Sequence, residues 1–171
     1  MIEVVLRAVR VDVGTSTPLL LLEEVGGERV LAMFIGAPEA AAIAYALQGI
    51  EAPRPMSHDL LGHVIAALGA RLFAVEITEL RDNTFYANLR LLRGGEEIVV
   101  SSRPSDAVAL ALRVGGPILV GDELMAREGK ILKLADDDEE EYVELDTSNE
   151  SDLVAELREF LDQVRPEDFD T

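Results

Sequence analysis

The stretch that most constrains this chain is 101-SSRPSDAVALALRVGGPILVGDEL-124, because every residue from Ala107 to Leu112 is apolar. A helix over these residues has no wet face beyond its ends, so it must be buried nearly all round, with other elements packed about it. Pro104 lacks an amide hydrogen and has a fixed φ, which suits the first helical position and keeps Arg103 extended before it. The helix therefore starts at Arg103/Pro104, and Gly115-Gly116-Pro117 ends it. Ile118-Leu119-Val120 then reads as a short buried strand. Arg103, Ser105 and Asp106 form a polar cluster held at the helix mouth.

The rest of the chain supplies the surroundings. Residues 2–13 alternate as a half-buried strand, and 19–24 and 29–35 form a hairpin about Val25-Gly26-Gly27-Glu28, with both glycines expected at positive φ. Ala37-Pro38-Glu39 opens an alanine-rich helix ended by Gly49. The connector 50–56 carries two prolines around Arg54 and is stiff and extended. Ser57 is expected to cap a second helix, 57–69, whose apolar residues Leu60, Leu61, Val64, Ile65 and Leu68 follow the helical period. Strands at 71–80 and 84–92 flank a turn at 81–84, and another follows at 96–101. Both halves thus run three strands and then a helix opened near a proline.

Length and charge narrow the function classes. A chain of 171 residues, 49% hydrophobic, holds one well-packed domain. It has no cysteine, which excludes thiolate zinc sites and cysteine nucleophiles. No run of eighteen apolar residues exists and no signal-like block opens the chain, so a soluble, cytoplasmic protein with no membrane partner is expected. The net charge of −18 argues at first against nucleic acid, but residues 136–171 carry 16 of the 33 acids and 2 of the 15 basic residues. The body, 1–135, is only mildly acidic and its cations are nearly all arginine. The expected organisation is a domain at 1–135, an acidic linker at 136–150, and a C-terminal helix and tail at 151–171. The last helix presents Leu153, Val154, Leu157, Phe160, Leu161 and Val164 on one face, suited to packing on the body or on a partner.

The segments "FIGAPEA", "RPMSHDLL", "DNTFYANL" and "SSRPSDAVALALRVGGPILVGDEL", in this order and spacing, resemble the bifunctional nuclease domain family over about residues 1–135. The resemblance implies an α+β domain with a mixed sheet, and the element pattern makes that sheet largely antiparallel with three packed helices, in the order β3-α-α-β3-α-β. It also implies a homodimer or higher homo-oligomer, with DNA and RNA as partners. The implied activity is low-specificity nuclease cleavage dependent on a divalent metal, Mg²⁺ or Mn²⁺.

Such a nuclease needs carboxylates, a base and cations near a phosphate. Glu39, Asp59 and Asp106 are candidate metal ligands, each in the first turn of a helix; an acid there is equally explained by the helix dipole or by capping, as for Asp106 bonding back to the helix-start amide. His58 beside Asp59 offers a base near neutral pH, so His58, Asp59 and Asp106 are the candidate catalytic residues. His63 lies about 140° round the helix from His58 and reads as structural. Arg54 and Arg103 flank helix starts that favour anions, and Ser105 and Asn83 could orient phosphate or water; Asp82-Asn83 reads equally as a plain turn. No P-loop is present, so ATP chemistry is not expected. The competing reading is a non-catalytic oligomeric interaction or regulatory module whose polar helix mouths are caps and subunit contacts and whose acidic tail binds a basic partner.

Overall fold

The computed structural model describes residues 1–12, 14–50 and 52–131, together with the backbone of 142–144. Two three-stranded antiparallel meanders make most of the sheet. The first is β1 (Ile2–Asp12), β2 (Thr17–Glu24) and β3 (Arg29–Phe34). The second is β4 (Ala70–Arg81), β5 (Thr84–Arg93) and β6 (Glu96–Ser102). Between them in sequence lie α1 (Ala37–Gln48) and α2 (Ser57–Ala67), and after them come α3 (Pro104–Val114), β7 (Ile118–Val120), α4 (Asp122–Glu128) and β8 (Lys130–Ile131). The short β7 joins the two meanders by pairing parallel with β4 and antiparallel with β1. The strand order is β6-β5-β4-β7-β1-β2-β3-β8, and β9 (Tyr142–Glu144) pairs with β1 alongside Arg10 to Asp12. This is the mixed, largely antiparallel sheet of the expected α+β fold.

The helix that the sequence places at the centre is there. Ala107, Val108, Ala109 and Leu110 of α3 are completely enclosed, packed in one core with Ala40 and Ile43 of α1, Ile65 of α2 and the inward strand residues Leu20, Leu22, Leu31, Val75, Ile77 and Leu89. Close approach of α2 to α3 depends on Gly62, since a Cβ there would meet Val114 Cγ1 at 2.7 Å. Removing that much apolar area from water is the main term holding the layers together.

Several local expectations are corrected. Ser57 is not the cap of α2: Met56 occupies that position with extended φ and ψ, and the amide of Met56 donates to Asp59 Oδ2 at 2.8 Å. The acid three residues on satisfies the helix start, so a hydroxyl at Ser57 is not needed for it. In the β2–β3 turn only Gly26 takes a positive φ. The helix α4, absent from the sequence reading, spans seven residues, too few for a helical period to show, yet it buries Leu124 and Met125 in the core. The expected C-terminal helix at 151–164 and the acidic linker lie outside the described residues. No helix among the described residues is long and apolar enough to cross a membrane.

Asp82 and Asn83 both sit in the left-handed region, at φ 49° and 58°, in a two-residue hairpin loop closed by the Arg81–Thr84 pair. Asparagine tolerates that conformation where most residues are strained. Asn83→Ala is expected to cost about 1 kcal/mol in urea unfolding; an unchanged midpoint would contradict the turn role.

Candidate active site at the helix mouths

The first turns of three helices converge on one cluster. Glu39 comes from the start of α1, His58 from the start of α2, and Arg103 and Asp106 from the cap and first turn of α3. His58 Nε2 lies 3.0 Å from Asp106 Oδ1. Arg103 donates from Nε to Asp106 Oδ2 at 2.7 Å and from Nη2 to Asp106 Oδ1 at 3.1 Å. The same Nη2 lies 2.9 Å from Glu39 Oε1. One guanidinium is thus shared by carboxylates of two helices while an imidazole bonds the second of them.

The placement follows from the local sequence. Pro104 fixes the entry to α3 and leaves Arg103 extended at φ −75° and ψ 146°, so its side chain can fold back over the first turn onto Asp106 three residues on. In α1 the extended cap is Gly36 and Pro38 is the second helical residue, just ahead of Glu39. Asp106 makes no capping bond to the helix-start amide: its two oxygens are taken by Arg103 and His58. The capping role falls instead to Asp59 in α2.

Asp59 stands apart from this cluster. Its Oδ1 accepts from Arg113 Nε at 2.5 Å, and the same guanidinium donates to the carbonyls of Ala109 and Ala42, each at 2.9 Å. Arg113, nearly buried, therefore ties α1, α2 and α3 together behind the site. Sequence reasoning passed over it, although a lone charge at the end of an otherwise apolar helix was the available signal. Ser105 is buried at the start of α3. Arg54 and His63 are exposed, and Asn83 forms its hairpin turn; none of the three joins the cluster's hydrogen bonds or ion pairs.

Charge states follow from the contacts. Burial pushes the Asp106 carboxyl up, but hydrogen bonds from Arg103 and His58 outweigh it, and the group ends below its ordinary value. Asp59 is also lowered, first by the Met56 amide, against burial, and then by Arg113. A carboxylate can only accept, so the His58 Nε2 carries the hydrogen it shares with Asp106, and in neutral imidazole Nδ1 keeps the lone pair. Arg103 is 66% exposed, and its Nη1 has no partner among the described residues. The mouth therefore offers a cation to solvent beside a held imidazole.

No three His, Asp or Glu side chains among the described residues are grouped so as to ligate one metal ion. Two carboxylates, Glu39 and Asp106, converge on the Arg103 guanidinium, so a metal ion held by them would share them with Arg103. Magnesium commonly takes only one or two protein carboxylates and completes its shell with water and phosphate.

An α+β domain with paired meanders and an arginine, histidine and carboxylate cluster where three helices start is the class defined here. Residues 20–133 match the bifunctional nuclease domain, and the chain belongs to that family. It is 47% identical over 167 residues to proteins of two Mycobacterium tuberculosis strains, covering 98% of this chain and 97% of theirs; both are named only as uncharacterized proteins. It is also 28% identical over 114 residues to bifunctional nuclease 1 of Oryza sativa subsp. indica, covering 65% of this chain and 34% of the rice protein.

The lowered Asp106 value makes a pH prediction. A depressed carboxylate contributes stability that is present above its unfolded value, about 3.9, and is lost as pH falls through the folded one. Asp106→Asn should therefore melt below the parent at neutral pH, with the gap closing below about pH 4. A gap that widens on acidification contradicts the assignment.

Proposed function

We propose that this chain is a nuclease of low sequence specificity that hydrolyses phosphodiester bonds of DNA and RNA at the cluster of Glu39, His58, Arg103 and Asp106. The observation that carries the reading is the His58–Asp106–Arg103 arrangement, found at helix starts within a bifunctional nuclease domain. Relatives named bifunctional nuclease support the reaction class.

Each residue has a part that its contacts suggest. Arg103 meets a phosphoryl oxygen through its exposed guanidinium edge and offsets the charge that grows there during attack. The free amides at the start of α3 favour the same anion. His58 takes the proton of the attacking water at Nδ1, while Asp106 holds the ring through Nε2 and stabilises the imidazolium that results. Glu39 and Asp106 would hold a Mg²⁺ or Mn²⁺ ion, which when bound supplies polarisation of the phosphoryl oxygen and a more acidic water. Asp59 supports the site through Arg113 and the α2 start.

His58→Gln and Asp106→Asn are each expected to lower cleavage of single-stranded DNA and of RNA by about 10²- to 10⁴-fold. Both should keep the parent's circular dichroism spectrum. EDTA should abolish the parent's cleavage and added Mg²⁺ or Mn²⁺ restore it. If the double variant, purified the same way, cleaves as fast as the parent, the activity belongs to a contaminant and the reading fails.

A further inference from the structure

The sheet has a second apolar face, turned away from the helices. Leu20, Leu22, Leu31 and Met33 point into the main core, so their neighbours along β2 and β3 point the other way. There Ala8, Leu19, Leu21 and Val30 form a separate cluster, each 8% exposed or less. This cluster contains strand residues only, and no helix residue among the described ones belongs to it. A single layer of side chains on a bare sheet face does not close itself off from water to that degree, whereas Ala32 and Phe34, on the same face of β3, are exposed, so a cover would lie over part of this face only. Arg10 is on the same face, opposite Leu19 in register, and its Nε is buried with no partner among the described residues.

The chain's own course points to what covers this face. The strand β9 runs antiparallel to β1, with Tyr142 opposite Asp12 and Glu144 opposite Arg10, so the chain leaves it heading toward Ala8. Further along the same edge, β7 already pairs with Ile2, Glu3 and Val4, which leaves room for only a few more paired residues beside β1. One side is filled by α1, α2 and α3. Beyond Glu144 the chain has 27 more residues, among them an apolar series at helical spacing: Leu153, Val154, Leu157, Phe160, Leu161 and Val164. The nine residues from Glu144 to Leu153 can span up to about 30 Å. From 145 to 171 there are nine acids and only two arginines, Arg158 and Arg165, a balance that can supply a carboxylate to Arg10.

We propose that residues 151–164 fold as an amphipathic helix laid across the back of β1, β2 and β3, with the apolar face on Leu19, Leu21 and Val30 and a carboxylate of the same segment on Arg10. The sheet then becomes the middle of three layers, and the catalytic mouths stay open on the opposite side. The occupant is the same chain, not a second copy.

The absence of cysteine makes cross-linking clean. Ala32 is exposed and stands beside Leu21 in register, while Ala67 is exposed on α2, on the helical side. In the full chain, Ala32→Cys with Arg158→Cys should react with a short bismaleimide to give a cross-linked monomer about tenfold faster than Ala67→Cys with Arg158→Cys, as a docked segment raises its local concentration on one face only. The difference should vanish in urea. Equal rates, a faster Ala67 pair, or a product that is mainly dimer would each overturn the proposal, the last by identifying a second copy as the occupant.

Discussion

The burial of α3 is the constraint on which the rest of the structure depends. A helix apolar from Ala107 to Leu112 must be covered on every side, and its cover is two helices and a sheet whose inward residues all meet it in one core. Charge on such a helix is tolerated only at its ends. Arg103 and Asp106 gather at one end and Arg113 at the other, so the element that fixes the fold also decides where polar chemistry can stand.

The two ends carry different arginine environments. Arg113 is enclosed and bonded through all three of its nitrogens: one carboxylate and two carbonyls, from three helices, accept from it. Loss of any partner there would leave a buried polar group unmatched, which makes it a fastener of the helical layer. Arg103 is mostly open, holds Glu39 and Asp106 from one side and keeps an edge toward solvent. An open, charge-assisted pair is individually weak, and so can be exchanged for a phosphate at little cost. The contrast separates a structural arginine from a candidate substrate-binding one, though both belong to the same helix.

Much of this was legible in the sequence because it rests on local chemistry. Proline and glycine positions mark the starts and stops of α1 and α3, and period-two patterns mark the meanders. The convergence of Glu39, His58, Arg103 and Asp106 was legible only as four residues near helix starts. That these starts meet is set by how α1 and α2 pack on α3, which no local pattern encodes. The pairing of His58 with Asp106, 48 residues on, displaced the neighbour Asp59, because adjacent residues on a helix diverge by about 100°. Asp59 was drawn instead to Arg113 by the same packing. The helix α4 and the strands β8 and β9 escaped because each is too short to carry a period, while β7, of three residues, was readable from the glycines and proline before it.

The central claim is that Asp106 holds the His58 ring through Nε2 and leaves Nδ1 free to take a proton. The chain has only two histidines, so ¹⁵N NMR of the imidazoles resolves them with little overlap. The account predicts that neutral His58 is the Nε2–H tautomer, and that a non-hydrolysable oligonucleotide shifts the Nδ1 resonance of His58 but not that of His63. A His58 found as the Nδ1–H tautomer, or unmoved by the oligonucleotide at saturation, would contradict it.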